Sequence, residues 1–228
     1  MGKFLIVAAY AVYAAFWLRF LGHAFVWWKA SQQLDNQSPA RPHMKVKACA
    51  LTALDVVLLG RVFIVNPTLW IGEWVFHASF LLVLVRHLRF FLNPIPDWVW
   101  WVQTPGLIAG YLLPFALLYI LIIRLLTKQE KYAAPANLFL LGLVLAISSI
   151  GVAMHALFKP NLVDVKLFIF GIVNFAPKAA PDSVLFLLHF CLVLVLVPFL
   201  PTHIFTAPLV MMEARKRKLA LRLVMHEK

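Results

Sequence analysis

The chain has 228 residues, of which 63% are hydrophobic and only 13% are charged, and its mean hydropathy is +0.88. This composition excludes an ordinary water-soluble domain. The apolar runs are continuous, whereas strands of a membrane β-barrel alternate apolar and polar residues, so helices are favoured over a barrel. We therefore predict an all-α polytopic membrane protein.

The formal net charge is +12, but the Lys and Arg residues lie mainly at the ends of the apolar runs. The positive charge therefore indicates membrane topology, and no nucleic-acid partner is expected. The two cysteines, Cys49 and Cys191, are far apart, and no CxxC or CxxCH motif is present. Since these motifs hold iron–sulfur clusters or covalent c-type haem, a redox centre made by this chain must use histidine.

Five apolar runs each have the ~20 residues that cross a ~30 Å hydrocarbon core. The predicted spans are roughly 4–28, 68–92, 105–126, 135–158 and 183–206, within a single domain over 1–228. The first run continues beyond the length of a signal h-region, so we interpret it as a span. Connections 93–104 and 159–182 are predicted as loops.

The segment 44–61, between the first two spans, has apolar residues at helical spacing with charged residues around them. This pattern predicts a short amphipathic helix on the cytoplasmic membrane surface. The alternative is a sixth segment that spans the membrane poorly.

Basic residues accumulate in the connections after the first, third and fifth spans, including Arg41, Arg124 and the tail 209–228. Because Lys and Arg are enriched on the cytoplasmic side, we predict a cell inner membrane protein with its N-terminus outside and its C-terminal tail in the cytoplasm. Arg86 and Arg89, at the outer end of the second span, do not follow this rule and need another explanation.

Four histidines lie within two spans: His77 and His87 in the second, His189 and His203 in the fifth. These spans run in opposite directions, so His77 matches His203 in depth, and His87 matches His189. Facing imidazoles at two depths are what two bis-histidine haems b require. We predict an inner haem iron bound by His77 and His203 and an outer one bound by His87 and His189.

The spacings support this arrangement unequally. Fourteen residues between His189 and His203 make a near-integer number of turns at ~3.6 residues each, which leaves both on one face. Ten residues between His77 and His87 leave an offset of roughly 80°, which helix tilt or different flanking helices must absorb. The alternative is that the histidines sit in helix interfaces without a metal. Glu73, one turn before His77, is interpreted as a residue at headgroup level.

Other polar residues in the spans are candidates for supporting roles. Arg19, near His23 in the first span, could neutralise a haem propionate, because guanidinium groups give charge-assisted hydrogen bonds to carboxylates. The same role would explain Arg86 and Arg89. His155, at the outer end of the fourth span, is interpreted as an interfacial residue or part of a quinone pocket.

From Gly60 onward, most of the chain resembles the five-span di-haem cytochrome b subunits typified by the nitrate reductase gamma subunit, and in particular the DsrM-type subunit of the sulfite-reductase-associated membrane complex. The stretches that carry this resemblance are GRVFIVNPTLWIGEWVFHASFLLVLVRHLRFF, SSIGVAMHALF, LVDVKLFIFGIVNF and LLHFCLVLVLVPFLPTHIF. The two histidines ten residues apart in the second span are its most specific element.

The resemblance implies that His77, His87 and His189 are haem ligands. The family's fourth ligand usually lies one turn further on than His203, so His203 either binds from a shifted helix or that haem is altered or missing. Where such proteins often have Arg, this chain has His155, which leaves a substitute ligand or a quinone contact open.

The resemblance also implies a menaquinone or other quinone site near the outer haem, with His87, Lys166 and His155 as candidates. It implies electron transfer to a cytoplasmic iron–sulfur subunit similar to a heterodisulfide reductase subunit, in dissimilatory sulfur metabolism. A periplasmic cytochrome c and further membrane subunits are additional candidate partners.

Three other functions compete with this interpretation. A gamma-type subunit of a nitrate or heterodisulfide reductase has the same architecture. A secondary transporter or channel is disfavoured because no inverted repeat, no pair of broken helices and no midplane acid is evident in the sequence. A haem-free membrane anchor remains the third alternative. No catalytic centre beyond a quinone site is expected.

Overall fold

The computed structural model describes residues 2–37, 42–127, 135–203, 205 and 214. The regular elements of the described residues are helices, and short 3-10 turns follow two of them at Leu88–Phe90 and Val197–Phe199. The α-helices are α1 (Gly2–Gln37), α2 (Pro42–Leu58), α3 (Gly60–Val65), α4 (Pro67–His87), α5 (Asp97–Trp101), α6 (Gln103–Leu126), α7 (Pro135–Ala156), α8 (Leu162–Val173) and α9 (Val184–Leu196).

Five helical stretches of the described chain are long and apolar enough to cross a membrane: Lys3–Ala30, Pro67–Phe90, Gln103–Leu126, Pro135–Ala156 and Val184–His203. Their bounds lie within a few residues of the predicted spans. The prediction of an all-α polytopic integral membrane protein is confirmed. The apolar part of α2, Cys49–Leu58, is shorter than a span, which favours five spans over six.

The prediction that 159–182 is a loop was wrong, because it contains α8. Asn161 caps this helix, and its Oδ1 accepts a hydrogen bond from Val163 N at 3.0 Å. A 12-residue helix is only about 18 Å long at 1.5 Å per residue, so a search for spans misses it. The predicted loop 93–104 likewise contains the short helix α5.

The described residues form two compact units, and the first takes in Met1–Val12 and Asn66–Leu196. In this unit α4 packs against α6, α6 against α7, and α7 against α9. In the described part of the unit, α4 and α9 are not among the closely packed pairs. The four helices therefore form an open series with α4 and α9 as its two ends.

One apolar cluster defines an end of the first unit, which we call the His87 end. It contains the buried residues Leu5, Phe168 and Phe186, and Phe90 and Met154 pack against them. Phe90 follows the last turn of α4, Met154 lies near the end of α7, and Phe186 near the start of α9. Helices α4 and α7 therefore run in the same direction and α9 runs in the opposite one, as expected for the second, fourth and fifth of five successive spans.

The second unit takes in Tyr13–Val65 and Val197–Lys228. Its part of α1 carries a run of touching aromatic rings that includes Phe16, Trp17 and Phe20. Leu59, with a φ of 49°, separates α2 from α3. The segment 44–61 is confirmed as helical, and its position on the membrane surface stays a prediction. The predicted basic tail, 209–228, lies outside the described residues apart from Ala214.

Candidate functional site

His87 and His189 lie on α4 and α9, the two helices that end the open series. His87 Nδ1 is 2.6 Å from the main-chain oxygen of Val83, one turn earlier on the same helix. His189 Nδ1 is 3.0 Å from the main-chain oxygen of Ile147 on α7. The two members of the predicted outer pair thus lie on the two end helices, 102 positions apart in sequence, and their pairing stays a prediction.

His77 shows the same local geometry two to three turns earlier on α4. Its Nδ1 is 2.7 Å from the main-chain oxygen of Glu73, and its side chain is 40% exposed. The three imidazoles thus share one orientation, in which Nδ1 is bonded to the main chain.

This shared orientation decides the tautomer. A main-chain oxygen can only accept a hydrogen bond, so Nδ1 must carry the proton and Nε2 keeps its lone pair. Histidines that bind metals use this arrangement, in which one ring nitrogen donates to a carbonyl and the other binds the metal. By contrast, His155 Nδ1 is 2.9 Å from the hydroxyl of Tyr111, and His23 Nε2 is 3.3 Å from Thr202 Oγ1.

Two cations flank His87. Arg89 Nη1 donates to Gln103 Oε1 at 3.0 Å, and its guanidinium lies 4.7 Å from the ring centre of Phe90. Gln103 Nε2 also donates to the main-chain oxygen of Val99 at 2.9 Å. In the described part of the chain, the Nε atoms of Arg86 and Arg89 are buried without a hydrogen-bond partner. Buried donors without acceptors suit an anionic group such as a carboxylate.

A second polar contact at the His87 end involves a residue that sequence reasoning missed. The hydroxyl of Tyr111 on α6 meets His155 Nδ1 on α7 at 2.9 Å, with the two rings nearly perpendicular at 85°. Both side chains keep accessible surface.

Lys166 lies on α8, which packs on the 3-10 turn after His87. Lys166 is therefore a helical residue, and its part in a quinone site stays a prediction.

At the opposite end of α4, Glu73 forms an ion pair with Arg124 on α6, with Oε1 and Nη2 2.6 Å apart. The side chains are only 12% and 18% exposed. The carboxylate of Glu73 is therefore mostly buried against a partner, and its placement at headgroup level stays a prediction. Opposite charges near the same end of neighbouring spans were the sequence signal that could have revealed this pair.

Arg19, His23 and His203 belong to the second unit. Arg19 Nη2 donates to Thr202 Oγ1 at 3.4 Å, and Thr202 Oγ1 also meets His23. The ring of His23 lies nearly parallel to that of Phe205, at an angle of 22°. His203 and His77 fall in different units and are described separately, so their pairing stays a prediction.

The residues present fit the chemistry of a b-type haem. In the described chain, no group of three His, Cys, Asp or Glu side chains could hold a bare metal ion. A bis-histidine haem iron needs only two axial imidazoles with free lone pairs, because the porphyrin supplies its other four nitrogens. His87 and His189 offer such lone pairs on two helices that do not pack closely, with Arg86 and Arg89 beside them.

Comparisons with known proteins point to the same class. The chain is 31% identical over 150 residues to a protein of Archaeoglobus profundus described as "Hdr-like menaquinol oxidoreductase cytochrome b-like subunit", covering 58% of this chain and 44% of that protein. It is 32% identical over 149 residues to the protein of Archaeoglobus fulgidus with the same description, covering 58% and 45%. The chain thus matches less than half the length of either relative. No family model and no solved structure matches it.

Proposed function

We propose that the chain is a di-haem cytochrome b membrane subunit that exchanges electrons between a quinone pool and a partner protein. The observation that carries this proposal is the contact shared by His77, His87 and His189, in which Nδ1 meets a main-chain oxygen and Nε2 is left for a metal. The descriptions of the two Archaeoglobus relatives support it independently.

The axial ligands in this proposal are His87 and His189 for one haem and His77 and His203 for the other. When bound, the two haems supply one-electron transfer between the two membrane surfaces. The protein holds the imidazoles in one orientation on apolar helices and places the cations of Arg86 and Arg89 beside His87. Arg86 and Arg89 are proposed partners of the propionates at the His87 end, and Arg19 at the other.

A quinone site is proposed at the His87 end, near His155 and Lys166. A menaquinol that becomes a quinone gives up two electrons and two protons. A bound haem would accept electrons one at a time, and the protons need acceptors at the quinol hydroxyls. His155 is the proposed first acceptor, because its ring is accessible and Tyr111 orients it through Nδ1. The reverse reaction uses the same groups.

The partner is proposed to be an iron–sulfur subunit of the heterodisulfide-reductase type on the cytoplasmic side. The basic residues of the connections support a cytoplasmic C-terminal tail and an external N-terminus in the cell inner membrane. The sequence resemblance favours dissimilatory sulfur metabolism over nitrate reduction as the setting. A periplasmic cytochrome c and further membrane subunits are proposed as additional members of the complex.

Purified protein tests the haem assignment directly. We expect a reduced-minus-oxidised spectrum of b-type haem and two haems per chain by haem extraction. His87→Ala and His189→Ala should each remove the same haem. His77→Ala and His203→Ala should each remove the other haem. His155→Ala is the matched control and should keep both. A preparation that folds but shows no b-type absorption would overturn the proposal and leave only a membrane anchor.

A further inference from the structure

The buried ion pair between Glu73 and Arg124 has no role in the functions proposed above. Glu73 Oε1 and Arg124 Nη2 are 2.6 Å apart, and both side chains are mostly buried within membrane-spanning helices. Charges in such a place are costly unless they are paired, and the pair is worth little as a simple contribution to stability. Its position beside a proposed haem ligand suggests a different use.

Glu73 touches His77 in two ways. Its main-chain oxygen accepts the Nδ1 proton of His77 at 2.7 Å, and its carboxylate Oε2 lies 3.9 Å from the same Nδ1. The carboxylate and the hydrogen bond that sets the tautomer of His77 therefore belong to one residue. A charge this close to an axial ligand would act on the ligand and, through it, on the reduction potential of a bound haem.

Arg124 neutralises that carboxylate with part of its guanidinium. In the described residues its Nε is buried and has no hydrogen-bond partner. The two helices approach closely next to the pair: a Cβ added at Gly72 would lie 2.6 Å from the ring of Tyr119. Glu73 and Arg124 are therefore held in place by the packing of α4 on α6, and removing one leaves the other as an uncompensated buried charge.

We propose that Glu73 and Arg124 form a charge-balanced pair that positions His77 and sets the reduction potential of the haem it binds. This inference rests on the proposed function, and it assigns roles to two residues outside the ligand set. Both are positioning residues, since they act through His77 and touch neither iron nor quinone.

The ion pair predicts the direction in which each substitution shifts the midpoint potential of the haem. Glu73→Gln removes the negative charge and leaves Arg124 positive, which favours the ferrous state and raises the midpoint potential. Arg124→Gln leaves Glu73 negative, which favours the ferric state and lowers it. Each change should alter the reduction equilibrium of one haem by about tenfold or more, or ~59 mV for a one-electron couple. The double variant should return close to the wild type.

The experiment is a redox titration of the full-length protein in membranes, followed by the b-type absorption of each haem. The main-chain acceptor of His77 is present in every variant, so the substitutions isolate charge from the hydrogen bond. Arg124→Lys keeps the charge with a different geometry and should retain most of the wild-type potential. Asp97→Asn, which removes an exposed carboxylate on α5 beyond the His87 end, is the matched control and should shift neither haem.

The outcomes separate this inference from the proposed function. The inference is supported if both haems are present and the midpoint potential of one haem rises in Glu73→Gln, falls in Arg124→Gln and returns to the wild-type value in the double variant. Two haems with unchanged potentials, or with both single variants shifting in the same direction, overturn it and leave a structural link between α4 and α6. Wild-type protein without b-type absorption overturns the proposed function itself, and this inference with it.

Discussion

His189 on α9 donates its Nδ1 proton to the main-chain oxygen of Ile147 on α7, across 3.0 Å. His77 and His87 make the equivalent bond within their own helix, four residues back. The ring of His189 is therefore oriented by a neighbouring span, and its position depends on how α7 and α9 pack. A substitution on α7 should be able to displace it.

Gly151 provides that test, because a Cβ added there would lie 3.5 Å from His189 Cε1. This distance is an ordinary contact, so Gly151→Ala should be tolerated. Gly151→Leu should push the ring aside and lower haem content from two per chain toward one, measured by haem extraction. Gly142→Leu is the matched control on the same helix, where an added Cβ meets nothing within 4 Å. Equal haem content in the two Leu variants would contradict the placement of His189.

The two arginines beside His87 should influence the haem held there. Arg86→Leu or Arg89→Leu removes a positive charge next to a proposed propionate, which favours the ferric state and lowers the midpoint potential. A change of about tenfold in the reduction equilibrium, ~59 mV, is expected in a redox titration. Arg61→Leu, on the exposed surface of α3, is the control and should have no effect. Unchanged potentials and haem content in both variants would remove the propionate role.

The contact between Tyr111 and His155 should matter for quinol and not for haem binding. His155→Gln removes the proposed proton acceptor and should slow haem reduction by a menaquinol analogue by about 100-fold, in the range of general base catalysis. Tyr111→Phe should slow it less, since the ring loses only its orienting partner. Reduction by dithionite should be unchanged in both. Quinol-driven rates equal to wild type would place the site elsewhere.

Lys166 lies on α8, whereas Tyr111 and His155 lie on α6 and α7, so its role in the quinone site needs a test of its own. Lys166→Ala should weaken quinol binding, seen as a higher apparent KM with little change in kcat. Lys178→Ala, on the connection after α8, is a matched control for loss of a lysine. If both variants have the wild-type KM, Lys166 has no part in the quinone site.

Because α4 and α6 approach closely at Gly72, a larger residue at this position should destabilise the protein. An added Cβ would lie 2.6 Å from Tyr119 Cδ1 and 2.9 Å from Ile120 Cγ1, and Tyr119 is held by a hydrogen bond to the main-chain oxygen of Thr68. Gly72→Ala should therefore cost about 1–3 kcal/mol, as overpacking does. Thermal unfolding in detergent measures it. Gly142→Ala should leave stability unchanged or slightly raised, and a similar loss in both would contradict this packing.

The sequence by itself determined the class and the five spans, because a bilayer demands ~20 continuous apolar residues whatever the helices pack against. It also singled out His77, His87 and His189, since imidazoles in apolar spans are rare enough to notice. It did not reveal α8, which is too short to span and is helical through its cap and its buried face.

Only the tertiary structure decided which side chains meet across helices. Tyr111 and His155 are 44 residues apart, and Glu73 and Arg124 are 51 apart. Hydropathy reports how apolar each span is but not how the span is rotated about its own axis. That rotation depends on the shape of the neighbouring spans, as where the missing side chain of Gly72 leaves room for Tyr119. The main-chain oxygen that each imidazole meets depends on that rotation or on the local helix, so the tautomer could be inferred only from the folded chain.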